Sequence, residues 1–549
     1  MKKDFTPQDE LLFLALGGSG EIGMNVNLYG CRGQWLMVDL GMSFGANEYP
    51  GTELLFADLE FIEDRAESLV GIVLTHAHED HIGAVPYFAA ELGVPLYATP
   101  FTADLVRLKL EEAGLARDVK LIVVEEDHGR IELGPFAVTY IPLAHSIAEG
   151  NAVLIETPFG RVFHTGDWKL DEEPLIGTPT TGAELAELGD EGILAMVCDS
   201  TNVFNPAPSG SEGGVLRGLL EEVQRHSGRR VLVTTFASNV ARLHTLGEVA
   251  KATGRELCVA GRSLDRMIGV AQDNGYLADF PKPVDFDTAM SLPRGKVLIL
   301  ATGGQGEPRA ALARIAEANH PVSLTEGDVV LFSSRQIPGN ELAVGRVQNL
   351  LAQRGIHMVM DRKGDIHVSG HPGRPELETL YGWLRPEILV PVHGEIRHMQ
   401  EQARLGAASG IPKNIFQKNG DIIRLAPGAP GKLAEVHNGR LVLDGDIIVP
   451  ADGEAITMRR RLARDGLLIV VLDAKGGAQV QGVGLPLDED YAEFVTEAER
   501  DVGEALRRLK GRDRNDPDAM SEAARLAARR AAQRWCGKKP QTRIILPRA

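Results

Sequence analysis

The segment Thr75–His81 reads THAHEDH and gathers His76, His78, Asp80 and His81 within six residues. It follows directly on the apolar run GIVL. At the end of a strand alternate side chains point the same way, so His76 and His78 share one side. A turn after them lets Asp80 and His81 face back toward the same space. Imidazole nitrogens and carboxylate oxygens in this mixture suit one or two borderline-soft divalent cations. A polar surface turn is the bland alternative, but such a pattern arises by chance in on the order of one chain in a thousand, which favours a metal site. More ligands are needed. His145, in PLAHS, and Asp167, in HTGDWKLD, each follow an apolar strand. Either alone reads as an ordinary hydrogen-bonded surface group; each gains weight only as part of a set.

The elements that must position these residues are short and apolar. LLFLAL (11–16), WLMVDL (35–40), GIVLT (71–75), KLIVV (120–124), FAVTYIPL (136–143), AVLIET (152–157) and RVFHTG (161–166) read as strands. Helices are expected at 85–93 and 102–114. Many strands and few helices point to a sheet sandwich flanked by helices. After about residue 205 the rhythm becomes β/α alternation, with strands at 231–236, 256–261, 296–302 and 328–334, which is the pattern of a parallel sheet with crossover helices. It lasts to about residue 360 and reads as an inserted domain. Histidines and short strands then return, in HVSGH and LVPVHGE. Near 450 a third unit begins, with a strand at 467–474, helices at 487–510 and 518–535, and a last strand, TRIILP. APGAPGK (426–432) is a short linker candidate.

Composition bounds the rest. The 549 residues suggest three or four domains of roughly 100–200 residues each. With 44% hydrophobic and 24% charged residues, the chain is neither disordered nor fibrous. Four scattered cysteines, Cys31, Cys198, Cys258 and Cys536, form no CxxC and argue against disulfides or a thiolate metal site. No apolar run approaches the roughly 18 residues of a membrane span. The start, MKKDFTPQDELLF, lacks an apolar core of signal-peptide length, so the expected compartment is the cytoplasm. The net charge of −18 argues against coating of duplex DNA by bulk charge. Residues 501–549 reverse it locally, with 13 Lys and Arg against 6 Asp and Glu. That tail reads equally as a polyanion attractant or a solvated helix face. Aromatics are only 5%, so base-stacking platforms must be sparse.

The series Asp39 (in VDLG), 75–81, His145 and Asp167 resembles the metallo-β-lactamase superfamily. CDST (198–201), HVSGH (367–371) and PVHGE (391–395) resemble the three added motifs of the β-CASP nucleases. GGSGEIGMN (17–25), TGGQGEP (302–308) and IPGNE (337–341) are similar to the bacterial ribonuclease J family. The resemblance covers about residues 10–450, and more loosely the C-terminus. It implies an α/β fold: a metallo-β-lactamase αββα sandwich at 1–205 and 363–450, an inserted β-CASP parallel-sheet domain at 206–362, and a small α+β C-terminal domain at 451–549.

The resemblance also implies two zinc ions, though manganese fits such ligands too. One would be held by His76, His78 and His145, the other by Asp80, His81 and His393, with Asp167 bridging. Asp39 would orient a ligand histidine. Two close cations lower the pKa of a water between them and offset charge on a phosphate oxygen. Catalysis would rest on Asp80 with His371 and Asp199. His371 is the candidate general acid, since cleavage leaving a 5′-phosphate must protonate a departing 3′ alkoxide. Asp199 would orient it; without the resemblance, Asp-Ser-Thr reads as ordinary capping chemistry. His367, Val368, Ser369, Gly370 and His371 would line a phosphate pocket, with Ser238 and Ser334 as further donors.

The implied activity is 5′→3′ exoribonuclease and endoribonuclease cleavage of single-stranded RNA with a preference for 5′-monophosphate ends. The implied roles are in ribosomal RNA maturation and mRNA decay, with homodimers or homotetramers through the C-terminal domain and other RNA-decay proteins as partners. Arg262, Arg309 and Arg335 could supply a local basic groove. The alternatives are a DNA-directed β-CASP nuclease, a small-molecule metallohydrolase and a catalytically dead RNA-binding scaffold. DNA-directed members commonly carry valine at the position of His393, small-molecule enzymes lack the insertion and its motifs, and dead members lose ligands. One departure stands out: where family members often read SSxPIPGNE, this chain has SSRQIPGNE, with Arg335 and Gln336.

Overall fold

Strands Leu11–Gly17 and Val26–Cys31 are buried along their whole length, as strands central to a sheet covered on both faces must be. The computed structural model describes residues 5–45, 48–125, 129–177, 179–337, 339–361, 365–473 and 477–546. Ala474, expected to end a strand, Pro338 of IPGNE and the expected boundary at 362/363 lie outside the described residues.

The two strands belong to an eight-stranded sheet. Its order is Gly431–Glu435, Asp421–Ala426, Leu11–Gly17, Val26–Cys31, Gln34–Val38, Leu69–Val73, Leu96–Ala98 and Leu121–Val123. A seven-stranded sheet faces it, ordered Ile131–Leu133, Phe136–Pro142, Asn151–Thr157, Gly160–His164, Ala195–Asp199, Ile388–Val392 and Lys413–Asn414. The inner faces share one core: Phe13, Tyr29, Val38 and Val73 from the first sheet meet Val138, Val153, Val197 and Val390 from the second. Helix Pro100–Glu112 packs on the first sheet near its edge. Leu377, Leu380 and Leu384 of helix Arg374–Leu384, with Leu405 of helix Ile396–Ala408, pack against Met196 and Leu389 of the second. This is the expected αββα sandwich.

The insertion is visible in the strand pairing. Ala195–Asp199 and Ile388–Val392 lie side by side in parallel, Asp199 opposite Val392, although far apart in sequence. Between them the chain builds a five-stranded, wholly parallel sheet. Its order is Glu256–Ala260, Val297–Ala301, Val231–Thr234, Val329–Phe332 and His357–Met360. Strands of four or five residues, filled with Val, Ile and Leu, are what a parallel sheet buried on both faces selects.

Residues 44–55 and 439–549 form a second compact unit. Its longer segment begins at Gly439. Its three-stranded sheet is ordered Ala478–Val483, Leu467–Leu472 and Gln541–Ile545. Helices Tyr491–Arg508 and Pro517–Cys536 lie together, with Phe494, Ala498 and Val502 against Ala524, Ala528 and Ala531. Alanine at helical spacing carries almost no side chain, so the helix axes approach closely.

Several expectations are corrected. APGAPGK is no linker; it holds the turn between the antiparallel strands Asp421–Ala426 and Gly431–Glu435. The strand expected to reach Gly166 ends at His164, and Gly166 turns with φ 55°. The crossover helix after Val297–Ala301 is short, Ala311–Ala316. Helix Glu454–Asp465 was not expected. Among the described residues, no helix is long and apolar enough to cross a membrane.

Candidate metal centre and catalytic cleft

Parallel pairing of Gln34–Val38 with Leu69–Val73 brings the carboxyl ends of two strands together. One end presents Asp39 and the other Thr75 and the histidine cluster. Asp39, fully buried at φ 65°, accepts the Thr75 N–H at 2.8 Å and the Thr75 hydroxyl at 2.9 Å, and lies 2.7 Å from His81 Nδ1. It therefore fixes both the start of the loop and the ring that ends it. Helix Glu79–Ile82 starts after His78 and turns Asp80 and His81 back over His76.

Two groups of side chains converge. In the first, His78 Nδ1 lies 3.2 Å from His76 Nε2 and 3.1 Å from His145 Nε2. In the second, Asp80 Oδ2 lies 3.7 Å from both His81 Nε2 and His393 Nε2. Asp167 belongs to both. Its Oδ2 is 3.8 Å from His76 and from His145, 3.3 Å from His81 and 3.4 Å from His393. The ligand atoms of each group lie within 4.8 Å of one another. His393 reaches this point through a left-handed backbone, φ 50°, at the end of Ile388–Val392.

Two observations test whether cations fit. Asp167 Oδ1 is buried and has no hydrogen-bond partner in the protein, a costly state for a carboxylate unless something else engages it. The opposite ring nitrogens are already occupied: His81 Nδ1 by Asp39, His145 Nδ1 by the Gly370 carbonyl at 2.6 Å, and His393 Nδ1 by Asn25 Oδ1 at 3.0 Å. That arrangement turns Nε2 of each ring toward the centre as an electron-pair donor, the usual design of a metal-binding histidine, with the Asn25 amide 3.0 Å from His81 Nε2. The residues fit two divalent cations.

The electrostatics agree. Burial pushes His76 and His145 well below the usual histidine range and His78 down to about 4, leaving neutral imidazoles with lone pairs to give. Burial would lower His81 too, but Asp167, Asp39 and Asp80 raise it well above normal, because the local field favours positive charge. Burial alone would raise Asp167, yet His393 and His81 hold it well below the usual carboxylate range.

Beside the metal ligands, His371 Nδ1 lies 2.7 Å from Oδ2 of the fully buried Asp199. Burial would depress His371, but Asp199 and Asp167 outweigh it and push it up to about 9. The ring stacks on His393 with centroids 5.5 Å apart. Gly370, next to it, touches His145. A Cβ there would lie 3.0 Å from His145 Cε1 and 2.9 Å from Ser146 Oγ, so a larger residue would have to displace Ser146 and press on the His145 ring.

The other sequence-selected residues are spread over several segments. Ser369 Oγ accepts the His371 N–H at 3.1 Å. Val368 is buried and would touch a Cβ at Gly210. His367 is pushed down to about 3, first by burial and then by Arg242 and Arg335; its Nδ1 is buried without a partner. Ser334 Oγ and Thr234 Oγ1 are likewise buried and unpartnered. Both sit at the carboxyl ends of the parallel strands Val329–Phe332 and Val231–Thr234, where open α/β sheets bind ligands. Ser238 follows in the turn before helix Val240–Thr253. Arg335 approaches Asn202 Oδ1 at 3.5 Å; Arg262 opens helix Arg262–Asp273 and is exposed.

Sequence reasoning missed Asn25 and Thr75 as supports of the ligand rings, and Thr234. Asn25 ended the quoted GGSGEIGMN, but nothing in its spacing revealed a partner near residue 393.

Known proteins resemble this chain along its length. Residues 23–192 match the model of the metallo-β-lactamase superfamily, residues 228–351 that of the ribonuclease J β-CASP domain, residues 355–416 that of a Zn-dependent metallo-hydrolase RNA specificity domain, and residues 454–548 that of the ribonuclease J C-terminal domain. Ribonuclease J of Sinorhizobium meliloti is 40% identical, covering 99% of this chain and 98% of that relative. Ribonuclease J of Thermus thermophilus is 34% identical over 91% of this chain and 88% of its own. A crystal structure of a protein of unknown function from Enterococcus faecalis shares the fold, with a TM-score of 0.54 and 16% identity, over 76% of this chain and all of that one (100%).

Proposed function

Since the chain belongs to the ribonuclease J family, we propose that it is a zinc-dependent ribonuclease that cleaves single-stranded RNA, 5′→3′ from 5′-monophosphorylated ends and also internally. The observation that carries this reading is the sharing of Asp167 by two ligand groups directly beside the Asp199–His371 pair. Metal-ligand roles go to His76, His78, His145, Asp80, His81, His393 and Asp167.

Two bound cations would supply Lewis acidity, lowering the pKa of water and offsetting charge on a phosphoryl oxygen. The chain does the rest. Asp199 binds Nδ1 of His371, which aims the ring's Nε2–H into the cleft and keeps it charged. That proton goes to the departing 3′ oxygen as the phosphorus–oxygen bond breaks, leaving the new 5′ end with its phosphate. Asp80 exposes 29% of its side chain, whereas His76, His81, His145, His393 and Asp167 expose 3% or less, so Asp80 is reachable from the cleft.

His367, Val368, Ser369, Gly370, Ser334 and Ser238 form the pocket for a 5′-phosphate. The support is a set of buried polar atoms without partners, Ser334 Oγ, Thr234 Oγ1 and His367 Nδ1 among them. A pocket that accepts a terminal phosphate favours 5′-monophosphorylated RNA and sets removal from that end. We assign the lactamase-like domain to 1–205 and 363–450, the insertion to 206–362 and the C-terminal domain to 451–549. The enzyme acts in the cytoplasm in ribosomal RNA maturation and mRNA decay, with other RNA-decay proteins. It assembles as a homodimer or homotetramer through the C-terminal domain, where Val471, Val483 and Ile545 expose apolar surface on one small sheet.

The test is kinetic. His371→Ala, compared with the parent on 5′-monophosphorylated RNA, should lose about 10²–10⁴-fold in kcat, the usual worth of a general acid, while binding RNA comparably. Cleavage at the parental rate would refute the acid role.

A further inference from the structure

Four charged side chains lie together with almost no solvent contact, away from the metal ligands. Lys169, Asp171, Glu212 and Arg242 expose 1%, 0%, 2% and 0% of their side chains. Lys169 Nζ lies 2.7 Å from Asp171 Oδ2 and 3.9 Å from Glu212 Oε1. Asp171 Oδ2 accepts the Glu212 N–H at 3.0 Å. Glu212 accepts Arg242 Nη2 through both oxygens, at 3.3 and 3.2 Å. Two cations and two anions balance, but desolvating four charges costs more than a hydrophobic cluster of the same size would. Stability is therefore a poor reason for the arrangement, and its connections point to another.

Arg242 has hydrogen-bonding capacity beyond Glu212. Its Nη1 donates to the Ser333 carbonyl at 3.0 Å, to the Ile366 carbonyl at 3.2 Å and to the Ser333 hydroxyl. The Ser333 hydroxyl in turn donates to the Ile366 carbonyl at 2.6 Å. Ser333 immediately precedes Ser334, and Ile366 immediately precedes His367. One guanidinium thus clamps together the two backbone segments that carry Ser334 and His367. At the other end of the network, the Lys169 N–H donates to the Ala144 carbonyl at 2.7 Å, next to His145 and two residues from Asp167.

We infer that Arg242 is a positioning residue for RNA 5′-end recognition: its fork joins the Ser334 strand end to the His367 loop, and Glu212, Asp171 and Lys169 tie that clamp to the segment bearing Asp167. The inference rests on the reading of His367 and Ser334 as the 5′-phosphate pocket. Arg242 touches neither RNA nor metal. Its planar, five-donor group is required because it must serve a carboxylate and two carbonyls at once, which a lysine ammonium cannot do from one position.

The experiment compares full-length parent and Arg242→Lys, both zinc-loaded, on one RNA sequence carrying either a 5′-monophosphate or a 5′-hydroxyl. The parent should prefer the monophosphate. In Arg242→Lys the ratio of kcat/KM values should fall about tenfold, mostly through KM for the monophosphate, the order expected when a charge-assisted positioning contact is lost. A merely structural role would lower both substrates in parallel, and that result, or an unchanged ratio, overturns the inference. If the lysine variant does not fold, the charge-balanced pair Arg242→Met with Glu212→Leu takes its place with the same two outcomes. A parent without any preference would instead overturn the pocket reading, and this inference with it.

Discussion

Asn25 shows how much of the metal centre depends on residues that are not ligands. Its side-chain oxygen holds His393 Nδ1 at 3.0 Å, and its amide nitrogen reaches the Asp80 carbonyl at 3.1 Å. Asn25→Ala should leave the fold intact but weaken binding at the Asp80, His81 and His393 group by about 10–100-fold, the usual effect of losing such a support. Chelator-competition titration with zinc checks this; unchanged affinity for both ions would refute it. Gly370 makes a second case. Gly370→Ala would push against His145 and Ser146 at 3.0 and 2.9 Å, so activity should drop at least about tenfold, while thermal unfolding, read by circular dichroism, moves little. At this scale the sequence was most legible where ligands are adjacent: His76, His78, Asp80 and His81 announce themselves within one loop. His145 and Asp167 needed the set, and His393 and His371 needed the family resemblance, because nothing local says that residues so distant return to the same cavity. Asn25 and Arg242 were invisible, since an interior hydrogen bond leaves no periodicity behind.

The crossings between sandwich and insertion are pinned by one carboxylate. Glu376, in the first turn of helix Arg374–Leu384, accepts the Ser209 hydroxyl at 2.6 Å, the Ser209 N–H at 2.7 Å, the Gly373 N–H at 2.7 Å and the Leu170 N–H at 3.0 Å. It ties the segment entering the insertion to the segment returning from it. Glu376→Ala strands these donors in the interior and should destabilise the first unit by about 3 kcal/mol or more, measured by denaturant unfolding; a loss below about 1 kcal/mol would contradict this role. Most strands were readable from β-branched apolar runs, and the insertion from the change of rhythm. What escaped has physical causes. The strand Val26–Cys31 carries Asn27, Tyr29 and Gly30 among its apolar residues and breaks the pattern. The turn at APGAPGK looks like a linker because proline and glycine serve both purposes.

Across the whole molecule, charge and assembly set the remaining expectations. A net charge of −18 leaves RNA attraction to local groups such as Arg335, so the affinity for single-stranded RNA should fall with salt along a shallower log–log slope than that of a uniformly basic protein. Salt-independent binding would count against a basic path. In the C-terminal unit, Val471 and Ile545 pair on the solvent face of the small sheet. Val471→Lys should lower the oligomeric state in light scattering without unfolding the unit; an unaltered mass would place the interface elsewhere. Among these scales, the central claim is that ligands drawn from separate stretches of the chain close around a pair of cations that share Asp167. Anomalous diffraction at the zinc edge, on crystals of the zinc-loaded protein, tests it most directly. Two peaks flanking the Asp167 carboxylate, one within reach of His76, His78 and His145 and the other within reach of Asp80, His81 and His393, are the result the account requires. A single peak, or a second one away from His393, would contradict it.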